Sequence, residues 1–220
     1  MEELVRGRRA SNKRKIRRDI VVASLTLFSE FGYDATTTQQ IANRVGISQR
    51  TFFRYFPKKE MIMDATAFNY VAPFAEALAQ SVAVKGGGLA AVEAAFLTQA
   101  RWWDEHAHEA KAIFALMEHS PALQLIDRAK QLEMETLTAR ALASRSGVFA
   151  AAPPTIEGLL TASIIIAAQR PILRGWFKDR LTGELSAYAV HGWIQLRPFA
   201  KQAIRYAHQV GMLTRGAQSD

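Results

Sequence analysis

The sequence predicts an all-α protein, with a small N-terminal head on a larger helical body and about nine helices in all. Three observations predict it. Apolar residues recur at helical spacing from Ile16 onward. No stretch alternates apolar and polar residues for long, and no hairpin dipeptide joins two such runs. Hydrophobic residues make up 49% of the 220 and charged residues 22%, a globular composition able to build a core. The division expected is an arm at 1–15, a head at 16–60 and a body at 61–215.

Residues 1–15 are polar and basic and read as a flexible arm. Ile16, Ile20, Ala23, Leu27, Phe28 and Phe31 then trace one helix, which Gly32 ends as a left-handed C-cap. Thr37 opens a second helix, with Gln40 three residues on at capping-box spacing. Gly46 permits a positive-φ turn and Ile47 plugs the core. Ser48 caps a short third helix, Gln49–Tyr55, which Pro57 stops. A fourth is expected from about Lys58 to Tyr70, and Lys85–Gly88 reads as a flexible break. Further helices are expected at about 89–106, 108–119 and 122–145. After a linker at Ser146–Pro154, two long apolar helices follow at about 155–178 and 185–209.

Charge is segregated along this chain. Residues 1–60 hold thirteen Lys/Arg and six Asp/Glu, a net of +7, which leaves +1 for the rest of the formal +8. A basic head on a near-neutral body points to a polyanionic partner for the head alone. There is no cysteine, which excludes disulfides, thiolate metal sites and cysteine nucleophiles. No apolar core precedes residue 20, so no secretory signal is expected. The most apolar run, Leu159–Ala168, reads as too short to span a bilayer. The expectation is a cytoplasmic protein with no membrane partner.

A brace helix, a tight turn and a short exposed helix make a helix-turn-helix, whose second helix enters the DNA major groove. Thr37–Val45, Gly46-Ile47-Ser48 and Gln49–Tyr55 meet that specification. The first turn of the short helix presents Gln49, Arg50 and Thr51. Arg pairs with a guanine edge and Gln with an adenine edge through two hydrogen bonds each. Phe52 and Phe56, four apart, should face inward. The basic stretch Arg6–Arg18, with Arg8, Arg9, Lys13 and Arg14, suits minor-groove or phosphate contact, and Arg17 a phosphate.

The run Arg17-Arg18-Asp19-Ile20, Ala23, Leu27-Phe28, Phe31-Gly32-Tyr33, Thr36-Thr37, Ile41-Ala42, Val45 through Ser48 and Thr51 through Glu60 closely resembles the DNA-binding head of the TetR family. The match covers about residues 14–63. The resemblance implies a homodimeric, all-helical repressor of a double-stranded operator, whose body binds a small effector. It implies phosphate contacts at Thr37, Tyr55 and Lys59 and base contacts at Gln49, Arg50 and Thr51. Phe53 departs from the family, which often has tyrosine there, so a hydroxyl contact is lost. The resemblance also implies that the last two helices pair with their two-fold mates, with Ile165, Ala189, Trp193 and Leu196 as the interface residues.

The body is rich in aromatic residues, the material of small-molecule pockets as well as of cores. Trp102, Trp103, Phe114, Met117, Gln169 and Trp176 are the pocket candidates, for an effector that is partly hydrophobic. Gln169 and Arg170 interrupt an apolar helix and need partners, and Pro171 should kink it. Asp104, His106, His108 and Glu109 are too poorly spaced for a metal set, and neither metal nor cofactor is expected. No nucleophile–base pair or phosphate loop supports an enzyme, and Gly86-Gly87-Gly88 lacks the Lys-Ser/Thr ending of such a loop. Two readings stay open beside the repressor, a transcriptional activator and a non-specific DNA binder.

Overall fold

The computed structural model describes the backbone of residues 2–144 and 153–216, and side chains at residue 7, 11–144 and 153–206. The described residues are helical, without a strand. The chain forms two compact units. The head unit comprises residues 1–69 and 108–126, and the body unit residues 70–107 and 127–220. Residues 61–69 and 108–126 therefore fall outside the linear division at residue 60.

In the head unit, α1 runs Glu2–Phe31, so the segment expected as a flexible arm is the first half of a helix. Its Glu, Leu, Arg and Lys residues are good helix formers, and Pro is absent from it. Ile20, Ser24, Leu27 and Phe28 form its buried stripe, whereas Phe31 is exposed. Gly32 takes φ 84° and donates its N–H to Phe28 O at 2.9 Å, ending α1. The short helices α2, Thr38–Val45, and α3, Gln49–Tyr55, follow.

The fourth helix expected from Lys58 is a correction. Residues Lys59–Ala65 form a 3-10 helix, and α4 starts only at Val71 and runs to Lys85. Thr66 breaks the run by donating its hydroxyl to Met63 O at 2.7 Å and accepting from Phe68 N–H at 3.2 Å. Local bonding of this kind competes with helix continuation. Helix α6, Ala107–Glu118, and the first residues of α7, Pro121–Ala143, complete the head unit.

In the body unit, α4 and α5, Gly88–Glu105, pack as a hairpin. The glycines between them form an ordered turn. Gly86, Gly87 and Gly88 all take positive φ, and a Cβ on Gly87 would collide with the backbone carbonyl of Ser144. Helices α8, Ile156–Phe177, and α9, Leu185–Gly216, pack on each other, and α9 also packs on α5. Most of the expected linker, residues 146–152, lies outside the described residues.

Asp104 joins α5 to α9. Its carboxylate accepts the N–H groups of Leu185 at 2.6 Å and Ser186 at 3.0 Å, satisfying two orphan donors at the start of α9. At 22 residues α8 is, by length and composition alone, long enough to cross a bilayer, beyond what the ten-residue apolar run suggests. Here its Thr161, Ala162, Ile165, Ile166 and Trp176 are buried within the chain.

Candidate functional site

The head presents a short helix whose position is fixed by side-chain caps at each turn. Thr37 Oγ1 accepts from Gln40 N–H at 3.2 Å, and Gln40 Oε1 accepts from Thr37 N–H at 2.8 Å. Gly46, at φ 75°, donates to the carbonyls of Ala42 and Asn43 and turns the chain. Ser48 Oγ accepts from Thr51 N–H at 3.1 Å to start α3. Phe52 and Phe56 lie buried with ring centroids 6.3 Å apart, as their spacing predicts.

What this leaves outward on α3 is Arg50, Phe53 and Arg54, all exposed, with Gln49, Thr51 and Tyr55 half-buried. Gln49 Nε2 donates to Thr38 Oγ1 at 3.0 Å, so part of its bidentate capacity is committed to bracing α3 on α2. The Thr51 hydroxyl lies 2.9 Å from Ser48 Oγ. Among the described residues Arg50 has no such bracing contact. Phe53, 43% exposed, offers an apolar surface of the kind that contacts a thymine methyl.

The expected phosphate contacts divide in the same way. Thr37 is the capping residue just described and stays exposed. Lys59 donates to Tyr33 O at 2.8 Å and Thr36 O at 2.9 Å, and its ammonium sits 4.3 Å from the centre of the Tyr33 ring. Desolvation lowers its pKa against the opposing pull of Asp34 and Glu60. Lys59 thus ties down the α1–α2 loop, leaving one N–H for an outside partner. Arg17 stacks on Phe56 at 4.4 Å and donates to Tyr55 O at 3.4 Å, capping the end of α3. Lys13, Arg14, Arg18, Arg54 and Lys58 are exposed cations of the same unit. The side chains of Arg8 and Arg9 lie outside the described residues.

A second candidate site lies in the body unit. A cavity of about 40 Å³ opens among α5, α8 and α9, with Phe96, Gln99, Trp103, Gln169, Ile172 and Trp193 in its wall. Trp103 and Gln169 are the sequence-predicted pocket residues that it includes. Trp102 instead stacks on His106, centroids 4.4 Å apart. Trp176 is buried and donates Nε1–H to Gly183 O at 3.0 Å. Phe114 and Met117 belong to the head unit and are no part of this cavity's wall. Asp104, considered as a metal ligand, has both carboxylate oxygens on the start of α9.

Behind the cavity runs a polar chain that sequence reading missed. Gln99 Nε2 donates to Tyr70 O at 2.9 Å, and the Tyr70 hydroxyl donates to Asp127 Oδ1 at 2.7 Å. Asp127 Oδ2 accepts from Gln131 Nε2 at 2.5 Å, and Gln131 Oε1 from Arg170 at 2.6 Å. Burial, reinforced by the adjacent Asp127 carboxylate, pushes the Tyr70 phenol far above its ordinary range, so it acts as a donor. Arg170 thereby has a partner for one guanidinium nitrogen, while its Nε is buried without one among the described residues.

The residues expected at a dimer interface are placed differently. Ile165 is 0% exposed and Trp193 2%, both covered by their own chain. Ala189, Trp193 and Leu196 line the cavity. The apolar surface these helices leave uncovered is Ile156, Leu160 and Ile164 on α8, with Val190, Ile194 and Phe199 on α9. The four-residue spacing of Ile156, Leu160 and Ile164 is the signal that could have found it. Both faces of α8 are apolar, so periodicity alone could not say which one meets its own chain.

Comparison with known proteins bears on the head most directly. Residues 20–66 match the family model described as bacterial regulatory proteins, tetR family. Over 151 residues the chain is 32% identical to the HTH-type transcriptional regulator TcmR of Streptomyces glaucescens, covering 64% of this chain and 65% of that one. It is 40% identical over 57 residues to the HTH-type transcriptional regulator RutR of Escherichia coli strain K12, 26% of each chain. The chain thus spans just under two thirds of the first relative and about a quarter of the second. A TetR-family regulator from Streptomyces coelicolor shares the fold at TM-score 0.50 and 18% identity, over 86% of this chain and 96% of that one.

Proposed function

We propose that the chain is a TetR-family transcriptional regulator that represses transcription as a homodimer on a two-fold symmetric DNA operator and is released by a small-molecule effector. The observation that carries the reading is the surface of α3. Arg50, Phe53 and Arg54 stand exposed on a helix held by caps at both ends of its turn, inside the unit that holds most of the net charge. Base reading falls chiefly to Arg50, joined by Gln49 and Thr51, and the surrounding cations meet phosphates. Lys13 and Arg14, on the helical start of the chain, belong to that second group. Such a protein works where the chromosome is, in the bacterial cytoplasm.

A dimer places two recognition helices on successive major grooves, so the operator mirrors the symmetry of the protein. The uncovered faces of α8 and α9 supply the apolar surface for that pairing. The effector enters the cavity of the body unit. There Gln99 is both wall and tether, because its amide holds Tyr70 O. Tyr70 and Asp127 are the first residues of the two segments that make the body unit, and they are hydrogen-bonded to each other. A ligand that favours a different placement of Gln99 therefore biases the backbone where the chain leaves each head segment. It shifts DNA affinity only as far as its own preference for one state allows, typically 1–3 kcal/mol by order of magnitude.

Selection of bound duplexes from a random pool, using the full-length protein, tests the reading. A two-fold symmetric consensus with half-sites about one helical turn apart is expected. Recovery of unrelated sequences overturns it in favour of non-specific binding.

A further inference from the structure

We propose that the effector is an uncharged, largely aromatic molecule that presents a carbonyl-type acceptor to the N–H groups of Gln169 and Trp193. The inference rests on the regulator reading above and adds the chemical class of its ligand. Among the described residues, the side-chain nitrogens of Gln169 and Trp193 are buried without a hydrogen-bond acceptor, and both residues line the cavity. Each unpaired group is a donor. What enters must therefore accept, because a buried donor left unpaired is disfavoured by about 1–3 kcal/mol.

Charge is excluded by the same wall. Among the described residues it contains no Lys, Arg, His, Asp or Glu. Arg170, next to Gln169 in sequence, does not line the cavity; it donates to Gln131 through one nitrogen, and its Nε, also without an acceptor, lies outside the wall. An anion would leave water with no cation to meet it, and a cation with no carboxylate. The shape of the ligand follows from Phe96, Trp103 and Trp193, whose rings favour offset or edge-on contact with another ring.

The cavity as it stands has space for about three waters, at 10–15 Å³ for each. An aromatic ligand must therefore move a wall. Helix α8 is the wall with a weak rung. Pro171 lies inside it, between the lining residues Gln169 and Ile172, and leaves Ala167 O without its helical N–H donor. At Gly192 the backbone of α9 comes so close that an added Cβ would stand 2.5 Å from Ile172 Cδ1. Separating α8 from α9 here enlarges the space beside both free donors.

The test uses three small probes of matched size: acetophenone, ethylbenzene and benzoate. Each is titrated by ligand-observed NMR into the full-length protein, into a Gln169→Leu/Trp193→Phe variant and into Gln169→Leu alone. Acetophenone should bind the native protein at least about tenfold tighter than benzoate. The ratio of the ethylbenzene Kd to the acetophenone Kd should fall by about tenfold or more in the double variant, and by about two- to tenfold in Gln169→Leu, the worth of the hydrogen bonds removed. Retained ethylbenzene binding reports an intact cavity. If the double variant loses it, Gln169→Leu decides.

Benzoate binding tightest, or a ratio unchanged by removing the donors, overturns the proposed class while leaving the cavity as the effector site. If no probe binds a protein that still selects a symmetric DNA site, the cavity assignment falls and this inference with it. Failure to select a symmetric site refutes the regulator reading independently of the probes.

Discussion

In the head, the side chains that cap the starts of α2 and α3 lie three residues from the backbone groups they hold, Thr37 with Gln40 and Ser48 with Thr51. In the body, the comparable contacts span the chain. Asp104 caps a helix that begins 81 residues later, and Tyr70 reaches Asp127 across 57 residues. The difference sets what each region is good for. A head whose short helices are started by local caps and braced by Lys59 and Arg17 holds a few side chains outward, as direct reading of base edges requires. A body built from long-range contacts between helices has a cavity, a polar chain and a helix with a proline inside it, the kind of elements that switching proteins use.

The strongest test of this contrast is to remove the head's anchor and leave the body alone. Phe52 is fully buried, and Phe52→Ala should destabilise the head by about 3–5 kcal/mol in denaturant titration. DNA binding should be lost while sedimentation still reports a dimer. Loss of the dimer as well would mean that the two regions fold as one.

Next in size is the converse, Ile164→Asp with Ile194→Asp on the exposed faces of α8 and α9. Monomers are expected by sedimentation, with operator affinity reduced by 100-fold or more, about 2.7 kcal/mol. An unchanged dimer would place the interface elsewhere.

Much of the head was legible because its signals are local. The capping pairs, Gly32, Gly46 and the Phe52–Phe56 spacing each predict one feature, and each is found. Lys59 and Arg17 were harder. Nothing in the sequence says that one holds carbonyls 26 and 23 residues away, or that the other stacks on Phe56. In the body, helix positions were legible from periodicity, but helix faces were not. Ile165 and Trp193 are apolar, as are Ile164 and Ile194, and only tertiary packing separates covered from uncovered. The segment after Pro57 misled because its apolar residues fit a helix, whereas the Thr66 hydroxyl bonds locally and ends the run.

Smaller effects probe the long-range bonds one at a time. Asp104→Ala removes the cap on α9 and should lower stability by about 1–3 kcal/mol, with Asp104→Asn recovering part of it. Equal losses in the two variants would mean that packing, not the cap, matters at this position. Tyr70→Phe deletes one hydrogen bond, worth about 0.5–1.5 kcal/mol. It should leave operator affinity nearly unchanged and weaken the response of that affinity to acetophenone, read by anisotropy with and without the compound. A full response in Tyr70→Phe would remove this bond from the coupling.

The most direct measurement of the central claim is an anisotropy titration of the full-length protein, and of Arg50→Ala, against the selected duplex and a scrambled one at fixed salt. The native protein should prefer the selected duplex by about 10³-fold or more. Arg50→Ala should narrow that gap by about 1–3 kcal/mol while binding the scrambled duplex almost as before. Equal affinity of the native protein for both duplexes, or a gap untouched by Arg50→Ala, would contradict the assignment of α3 as the helix that reads the operator.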